Sequence, residues 1–146
     1  MPQTPDYAER IARLQAAMKE QGLQAIVLES GPAMLYLTGV RWGKSERTFV
    51  VVIPQKGSAF WVLPGFEEAR AREMIRPGDE VRIWEEDESP YQKVVDGLKS
   101  RGVADGKAGM DDAARFFVFD GLRKLAPKIS WLGVRGVLKA AGVEAP

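Results

Sequence analysis

The chain has 146 residues and contains neither histidine nor cysteine. Without histidine there can be no Ser-His-Asp or Cys-His nucleophile system and no imidazole base. Nearly every zinc or di-metal hydrolase site also loses a ligand. Without cysteine there is no disulfide framework and no thiolate chemistry. An excess of charge is missing too. Twenty-one Lys and Arg against 20 Asp and Glu leave a formal net charge of +1, so no overall field draws the chain to nucleic acid. No apolar run approaches the length needed to cross a bilayer. The opening residues Met1-Pro2-Gln3-Thr4-Pro5-Asp6 lack the basic-then-apolar order of a signal peptide. No P-loop, GxGxxG fingerprint or paired-cysteine metal site is present. The expected location is the cytoplasm, and neither nucleic acid nor membrane is an expected partner.

What remains has the composition of a folded domain. Hydrophobic residues are 45% and charged residues 28%, a globular balance. The length suits one domain, 1–146, with a real core. Asp6 to Gly22 reads as a helix. Ile11, Leu14, Ala17 and Met18 share a face, Asp6 and Glu9 form a capping-box-like pair, and Gly22 ends it. Leu23 to Glu29 is apolar on both faces, as a central strand covered on each side by helices must be.

The stretch Ser30 to Gly43 (SGPAMLYLTGVRWG) is the centre of the sequence. Gly31-Pro32 suits a sharp turn into a short helix, because proline's fixed φ and missing N–H do no harm at the first helical position. Thr38-Gly39 suits its end. A flexible loop carrying Arg41, Trp42, Lys44 and Arg47 is expected to follow. On residue types alone it is a solvated, mildly basic surface loop.

Thr48 to Ile53 and Ser58 to Leu63 are β-branched and aromatic strands joined by the turn Pro54-Gln55-Lys56-Gly57, hence an antiparallel hairpin. Phe66 to Ile75 reads as a helix. Strands at Glu80–Trp84, Lys107–Asp111 and Pro127–Leu132 then alternate with helices at Tyr91–Arg101 and Ala113–Leu125. Gly133 to Ala141 is open between a last helix and a frayed end, and Gly142 to Pro146 reads as a loose tail. The expected class is α/β: a three-layer α/β/α domain with a mixed sheet, the hairpin on one side and parallel strands on the other.

Four constellations could carry chemistry, and each has a plainer reading. Glu85 to Glu88 could bind a cation, but consecutive carboxylates converge poorly on one ion, so a solvated loop is expected. Asp111 and Asp112 fall at a strand's carboxyl end, where open α/β sheets place ligands, yet Asp112 equally suits capping the helix near Ala113. Phe116, Phe117 and Phe119 spread round a helix and read as core rather than a base-stacking platform. Arg41, Lys44 and Arg47 with Trp42 form the one local basic-aromatic cluster.

The order of these features resembles the N-terminal, creatinase-type domain of the Xaa-Pro peptidase family: aminopeptidase P, prolidase and creatinase, the pita-bread metallopeptidases. The resemblance runs from about Tyr7 to about Leu132. It rests on Arg10, Leu14 and Met18 before Gly22, then on Leu23-Gln24-Ala25-Ile26-Val27-Leu28. Next comes Met34-Leu35-Tyr36-Leu37-Thr38-Gly39, similar to the family's xxYLTG segment. The hairpin, Glu67-Glu68-Ala69-Arg70 and Gly106-Lys107-Ala108-Gly109-Met110-Asp111 follow in family order, with Asp111 where members commonly have Glu.

The resemblance implies a ribonuclease H-like fold. It also implies that catalysis belongs to an absent C-terminal domain, where two divalent ions (Mn, Co or Zn) are held by two Asp, one His and two Glu. No catalytic residue, metal or cofactor is then expected in this chain. Its implied partners are its own catalytic domain, a second copy in a homodimer, and a proline-containing peptide. The implied roles are dimerisation and control of access to the active site. Arg41 and Trp42, on the loop after the YLTG segment, become the candidate substrate-contacting residues. The alternatives are a free-standing ligand- or protein-binding module of the same fold and, more remotely, a stand-alone enzyme using Asp111 and the acidic loop. The resemblance does not choose among aminopeptidase, dipeptidase and creatinase activity.

Overall fold

A computed structural model describes residues 5–143. In chain order the elements are α1 (Tyr7–Gln21), β1 (Leu23–Glu29), α2 (Pro32–Thr38), β2 (Val50–Pro54) and β3 (Phe60–Pro64). A 3₁₀ turn (Gly65–Glu67) and α3 (Glu68–Arg72) lead to β4 (Glu80–Trp84), α4 (Pro90–Ser100), β5 (Gly106–Met110), α5 (Phe116–Leu125), β6 (Ile129–Gly133) and α6 (Arg135–Ala140). No helix among the described residues is long and apolar enough to cross a membrane.

The six strands form one mixed sheet in the order β4-β3-β2-β1-β5-β6. β2 alone runs against the rest: it pairs antiparallel with β1 and β3, while β3–β4, β1–β5 and β5–β6 are parallel. The β2–β3 hairpin lies on one side of β1 with parallel strands on the other, as expected, and β4 extends the sheet beyond the hairpin. Strand alternation divides the core in two. Ile26, Leu28, Val51, Ile53, Trp61 and Leu63 point to the face covered by α1, α2, α3 and α6. Ala25, Val27, Val50, Val52, Phe60 and Val62 point to the face covered by α4 and α5. β2 and β3 are buried throughout, and β1 at every position but Gln24, because both faces of these strands are covered. At about 1.5–3 kcal/mol for each fully buried large apolar side chain, this double layer is the main force holding the sheet.

Helix ends follow local chemistry. The Asp6 carboxylate accepts from Glu9 N–H at 3.0 Å and Gly22 closes α1 with φ 72°. Ser89 caps α4 by accepting from Gln92 N–H at 3.2 Å. Gly39 closes α2 with φ 78°, and a Cβ there would stand 2.8 Å from the Tyr7 ring, so both conformation and space require glycine.

Three elements depart from the sequence reading. The helix expected over Phe66–Ile75 shrinks to a 3₁₀ turn and five residues of α3, whose one buried side chain is Ala71. That apolar face is too small to hold more turns. The helix expected from Ala113 begins at Phe116, because the Asp111 carboxylate takes Ala113 N–H at 3.0 Å and fixes a turn first. The loose tail expected over Gly142 to Pro146 does not begin at Gly142. Gly142 has φ 80°, Val143 N–H bonds Leu138 O at 2.9 Å, and Val143 is buried, so both complete the α6 terminus. The remainder of that tail, residues 144–146, lies outside the described residues.

Candidate functional site

The reversal of β2 gathers the chemistry at one end of the sheet. Val50, at the start of β2, pairs with Glu29 at the end of β1 and with Val62 of β3. The loop of residues 39–49 therefore emerges beside the carboxyl ends of the other strands. There Arg47 meets the acidic loop after β4, and Asp111 and Asp112 after β5 and Gly133 at the end of β6 lie at the same end of the sheet. Open α/β sheets bind ligands at this end, where chain order reverses. That switch point lies between β1 and β5. From β1 the chain builds outward through β2, β3 and β4, then returns to β5 on the other side. α2 leaves β1 toward one face and α5 leaves β5 toward the other.

The crevice so formed is filled by the protein itself. Glu29, 3% exposed, places its carboxylate against Arg115. Glu29 Oε2 accepts from the Arg115 backbone N–H at 2.9 Å. Glu29 Oε1 accepts from Arg115 Nε at 3.0 Å and Nη2 at 2.6 Å. Arg115 Nη1 donates to the Ser45 carbonyl at 2.5 Å, and the Phe117 ring lies 4.6 Å from the guanidinium carbon. Three donors on one buried carboxylate satisfy a charge that would otherwise be costly to bury. Sequence reading missed this pair. A glutamate ending a strand and an arginine preceding a helix, 86 residues apart, carry no local signal.

The loop of residues 39–49 has no regular structure, but it is anchored along its length rather than free. Trp42 stacks on Phe49 with ring centroids 4.6 Å apart, and the Arg70 guanidinium carbon lies 4.6 Å from the Trp42 ring. Arg47 pairs with Glu86 and covers Phe66. Thr48 O accepts from Trp84 Nε1 at 2.9 Å, and Thr48 Oγ1 lies 3.1 Å from Tyr91 Oη. Ser45 O is held by Arg115. The flexible loop expected from composition is thus a tethered one. Of the two candidate residues, Trp42 is half-buried against the core, and Arg41 is exposed with no hydrogen bond or ion pair among the described residues.

The other constellations resolve individually. Asp112 does not cap α5: its Oδ1 accepts from Arg135 N–H at 2.8 Å and so caps α6, which folding brings beside it. Phe119 is half-buried beside the buried Val118 and Leu122, whereas Phe116 and Phe117 are exposed at the first turn of α5 rather than core. Met110, Asp111, Asp112, Phe116, Trp131 and Leu132 line an open cleft of about 340 Å³ between the ends of β5 and β6. In the acidic loop, Glu88 accepts from Glu85 N–H at 2.9 Å and pairs with Lys93 at 2.8 Å, contacts that hold its carboxyl below the usual range. Among the described residues no three Asp, Glu, His or Cys are grouped to hold a metal ion.

On the face covered by α1 and α2, Tyr7, Thr38, Gly39, Trp61, Arg76 and Asp79 line a second cavity of about 300 Å³. Burial raises the Asp79 carboxyl above its ordinary value, against the opposing hydrogen bond from Trp61 Nε1 at 3.2 Å.

Comparisons with known proteins bear on this arrangement. The family described as Creatinase/Prolidase N-terminal domain matches residues 10–141. A Schizosaccharomyces pombe protein described as an uncharacterized peptidase is 31% identical over 135 residues, covering 83% of this chain and 29% of its own. The crystal structure of the prolidase from Thermococcus sibiricus superposes with a TM-score of 0.81 at 28% identity, over 93% of this chain and 36% of that one. Dipeptidase PepE from Mycobacterium ulcerans gives a TM-score of 0.81 at 30% identity, over 91% and 35%. The chain spans less than a third of the length of the curated relatives it matches.

Proposed function

The chain belongs to the creatinase/prolidase N-terminal domain family, and from that premise we propose that it is the non-catalytic amino-terminal domain of a cytoplasmic Xaa-Pro peptidase. Residues 1–146 form that one domain, and the catalytic domain lies outside them. The domain serves homodimer formation and substrate access, with a proline-containing peptide as the substrate of the whole protein. The observation that carries this reading is the fill of the β1–β5 crevice. Where the topology would offer a ligand site, Glu29 and Arg115 satisfy each other, so neither is free for acid or base work.

The metals that a prolidase-like activity implies do not fit this chain. It has no histidine or cysteine, and among the described residues no three carboxylates converge. Two divalent ions, Mn, Co or Zn, belong in this reading to the second domain. The carboxyl end of the sheet suits contact with other protein. Phe66, Phe116, Phe117 and Leu132 are exposed there, four of the five exposed large apolar side chains among the described residues. Arg41 is free to meet a substrate's carboxylate, and Trp42 presents a rigid ring edge beside it.

The test is a pair of proteins: this chain alone, and the product of the gene read beyond Pro146. With Mn²⁺ or Co²⁺ supplied, the longer product is expected to hydrolyse an Xaa-Pro dipeptide and the chain alone to leave it intact. In the longer product Arg41→Ala should raise KM about tenfold, the loss of one charge-assisted hydrogen bond of roughly 1.4 kcal/mol. Turnover by the chain alone overturns the reading. A stop codon directly after Pro146 would favour a free-standing binding module instead.

A further inference from the structure

We infer that Arg115 is the positioning residue of the loop of residues 39–49, and that Glu29 is the buried anchor through which it acts. The inference rests on the substrate-access reading for its consequence, but not for its geometry. A guanidinium is a planar fork of fixed donors. Here two donors of that fork, Nε and Nη2, and the backbone N–H of the same residue converge on one carboxylate. That carboxylate closes β1, a strand paired on both sides, and is 3% exposed, so it cannot shift with solvent. The fork is thereby fixed in direction, and its remaining nitrogen, Nη1, reaches the Ser45 carbonyl at 2.5 Å. Phe117 covers the guanidinium from the side, 4.6 Å from its carbon.

The other ties of the loop leave its middle to this contact. Trp42 on Phe49 holds the entry, and Thr48 on Trp84 and Tyr91 holds the exit. Between them, among the described residues, Gly43 and Lys44 make no hydrogen bond, Arg47 reaches Glu86 with its side chain, and the first backbone contact to another element is Ser45 O to Arg115. The direction in which Lys44 is presented is therefore set from β1 through Arg115, while Arg41 is held from the entry by its neighbours Val40 and Trp42. A lysine at this position would keep a positive charge beside Glu29. Its ammonium is a point charge on a flexible stem and cannot span Glu29 and Ser45 together.

The decisive variant is Arg115→Lys, made both in this chain and in the longer gene product. Trypsin cleavage after Lys44 is expected to accelerate at least tenfold while amide hydrogen exchange in β1, β2 and β5 stays as in the wild type. In the longer product KM should rise and kcat should change less. Unchanged cleavage after Lys44 overturns the inference. So does a matching rise of amide exchange in the strands, which would mark a general loosening. Should Arg115→Lys fail to fold, Glu29→Gln, which removes the anchoring charge and keeps the side-chain shape, is read by the same cleavage measurement. Arg41→Ala separates the two readings. If it leaves KM unchanged, the access reading fails while cleavage after Lys44 still scores the clamp. If it raises KM and a released loop does not, the positioning role fails.

Discussion

Two gaps stand side by side at the carboxyl end of the sheet, and the protein treats them differently. The gap between β1 and β5 is the one topology marks for a ligand, yet a buried ion pair closes it. The gap between β5 and β6 has no topological distinction, yet it stays open as a cleft of about 340 Å³ with Phe116 and Leu132 exposed at its rim. Strand order creates an opening, and the side chains at the strand ends decide whether it becomes a site. At β1 the ending residue is a glutamate with three donors aimed at it. At β5 the ending pair, Asp111 and Asp112, is spent on backbone amides of Ala113 and Arg135. The closed gap should therefore carry stability, and the open gap should carry little.

The sharpest way to break this contrast is Arg115→Ala. It leaves the Glu29 carboxylate buried without its cation, which costs about 3–5 kcal/mol. Urea denaturation of the variant should show that loss. A loss below about 1 kcal/mol, the range of an exposed pair, would mean the closed gap is no more structural than the open one. Between the gaps runs β5, and Gly109 is its tight point. A Cβ there would lie 2.0 Å from Val134 Cγ1 and 3.4 Å from Ile26 Cγ1. Gly109→Ala forces α6 away from the sheet, an overpacking cost of about 1–3 kcal/mol. A thermal melt matching the wild type would show that α6 sits loosely enough to absorb a methyl group.

On the open side the expected effect is smaller. Asp112→Ala removes the acceptor of Arg135 N–H and should cost about 1 kcal/mol, as the loss of a helix cap does. This sharpens the contrast, because Asp112 and Glu29 both end up accepting from backbone amides at the carboxyl end. The difference is that Asp112 is exposed, whereas Glu29 is buried and also accepts from the Arg115 guanidinium. If Asp112→Ala cost as much as Arg115→Ala, burial would not be what separates them.

The order of elements was legible because periodicity and punctuation are local. Leu14 and Met18 on one face of α1, the unbroken β-branched run Val50 to Ile53, and glycines at 22, 39 and 102 each announce their own element. What stayed hidden depends on residues distant in the chain. The capping preference of Asp112 was visible, but its helix was misread: the near helix starts at Phe116 behind a turn, and the amide that needed an acceptor belonged to Arg135, 23 residues on. The loop after Gly39 looked free because its composition is that of a surface loop. Its anchors, Arg70, Trp84, Glu86, Tyr91 and Arg115, lie on four other parts of the chain. Glu29 read as the end of an apolar strand, and nothing near it announced an ion partner.

The least of the expected effects comes from a carboxylate with the opposite balance. Asp79 sits half-buried at the amino end of the sheet, and its near partner is the neutral Trp61 indole rather than a guanidinium. Burial is the largest influence and raises its carboxyl above the ordinary value of 3.8. The Trp61 hydrogen bond and the charges of Arg76 and Arg101 oppose it without winning. A raised value in the folded state means the native protein holds this proton more tightly than the unfolded chain does. The associated stability is present below the unfolded value and is lost as pH rises through the folded one, so at pH 7 the ionised carboxylate is a small liability. Asp79→Asn stays neutral at every pH and keeps an oxygen to accept from Trp61 Nε1. Its melting temperature should exceed the wild type slightly at pH 7, and the advantage should vanish as pH falls toward the ordinary carboxylate range. An advantage of the same size at both ends of that range would assign the effect to packing rather than charge. Burial would then cease to explain why Glu29 is paired with an arginine while Asp79 is left beside an indole.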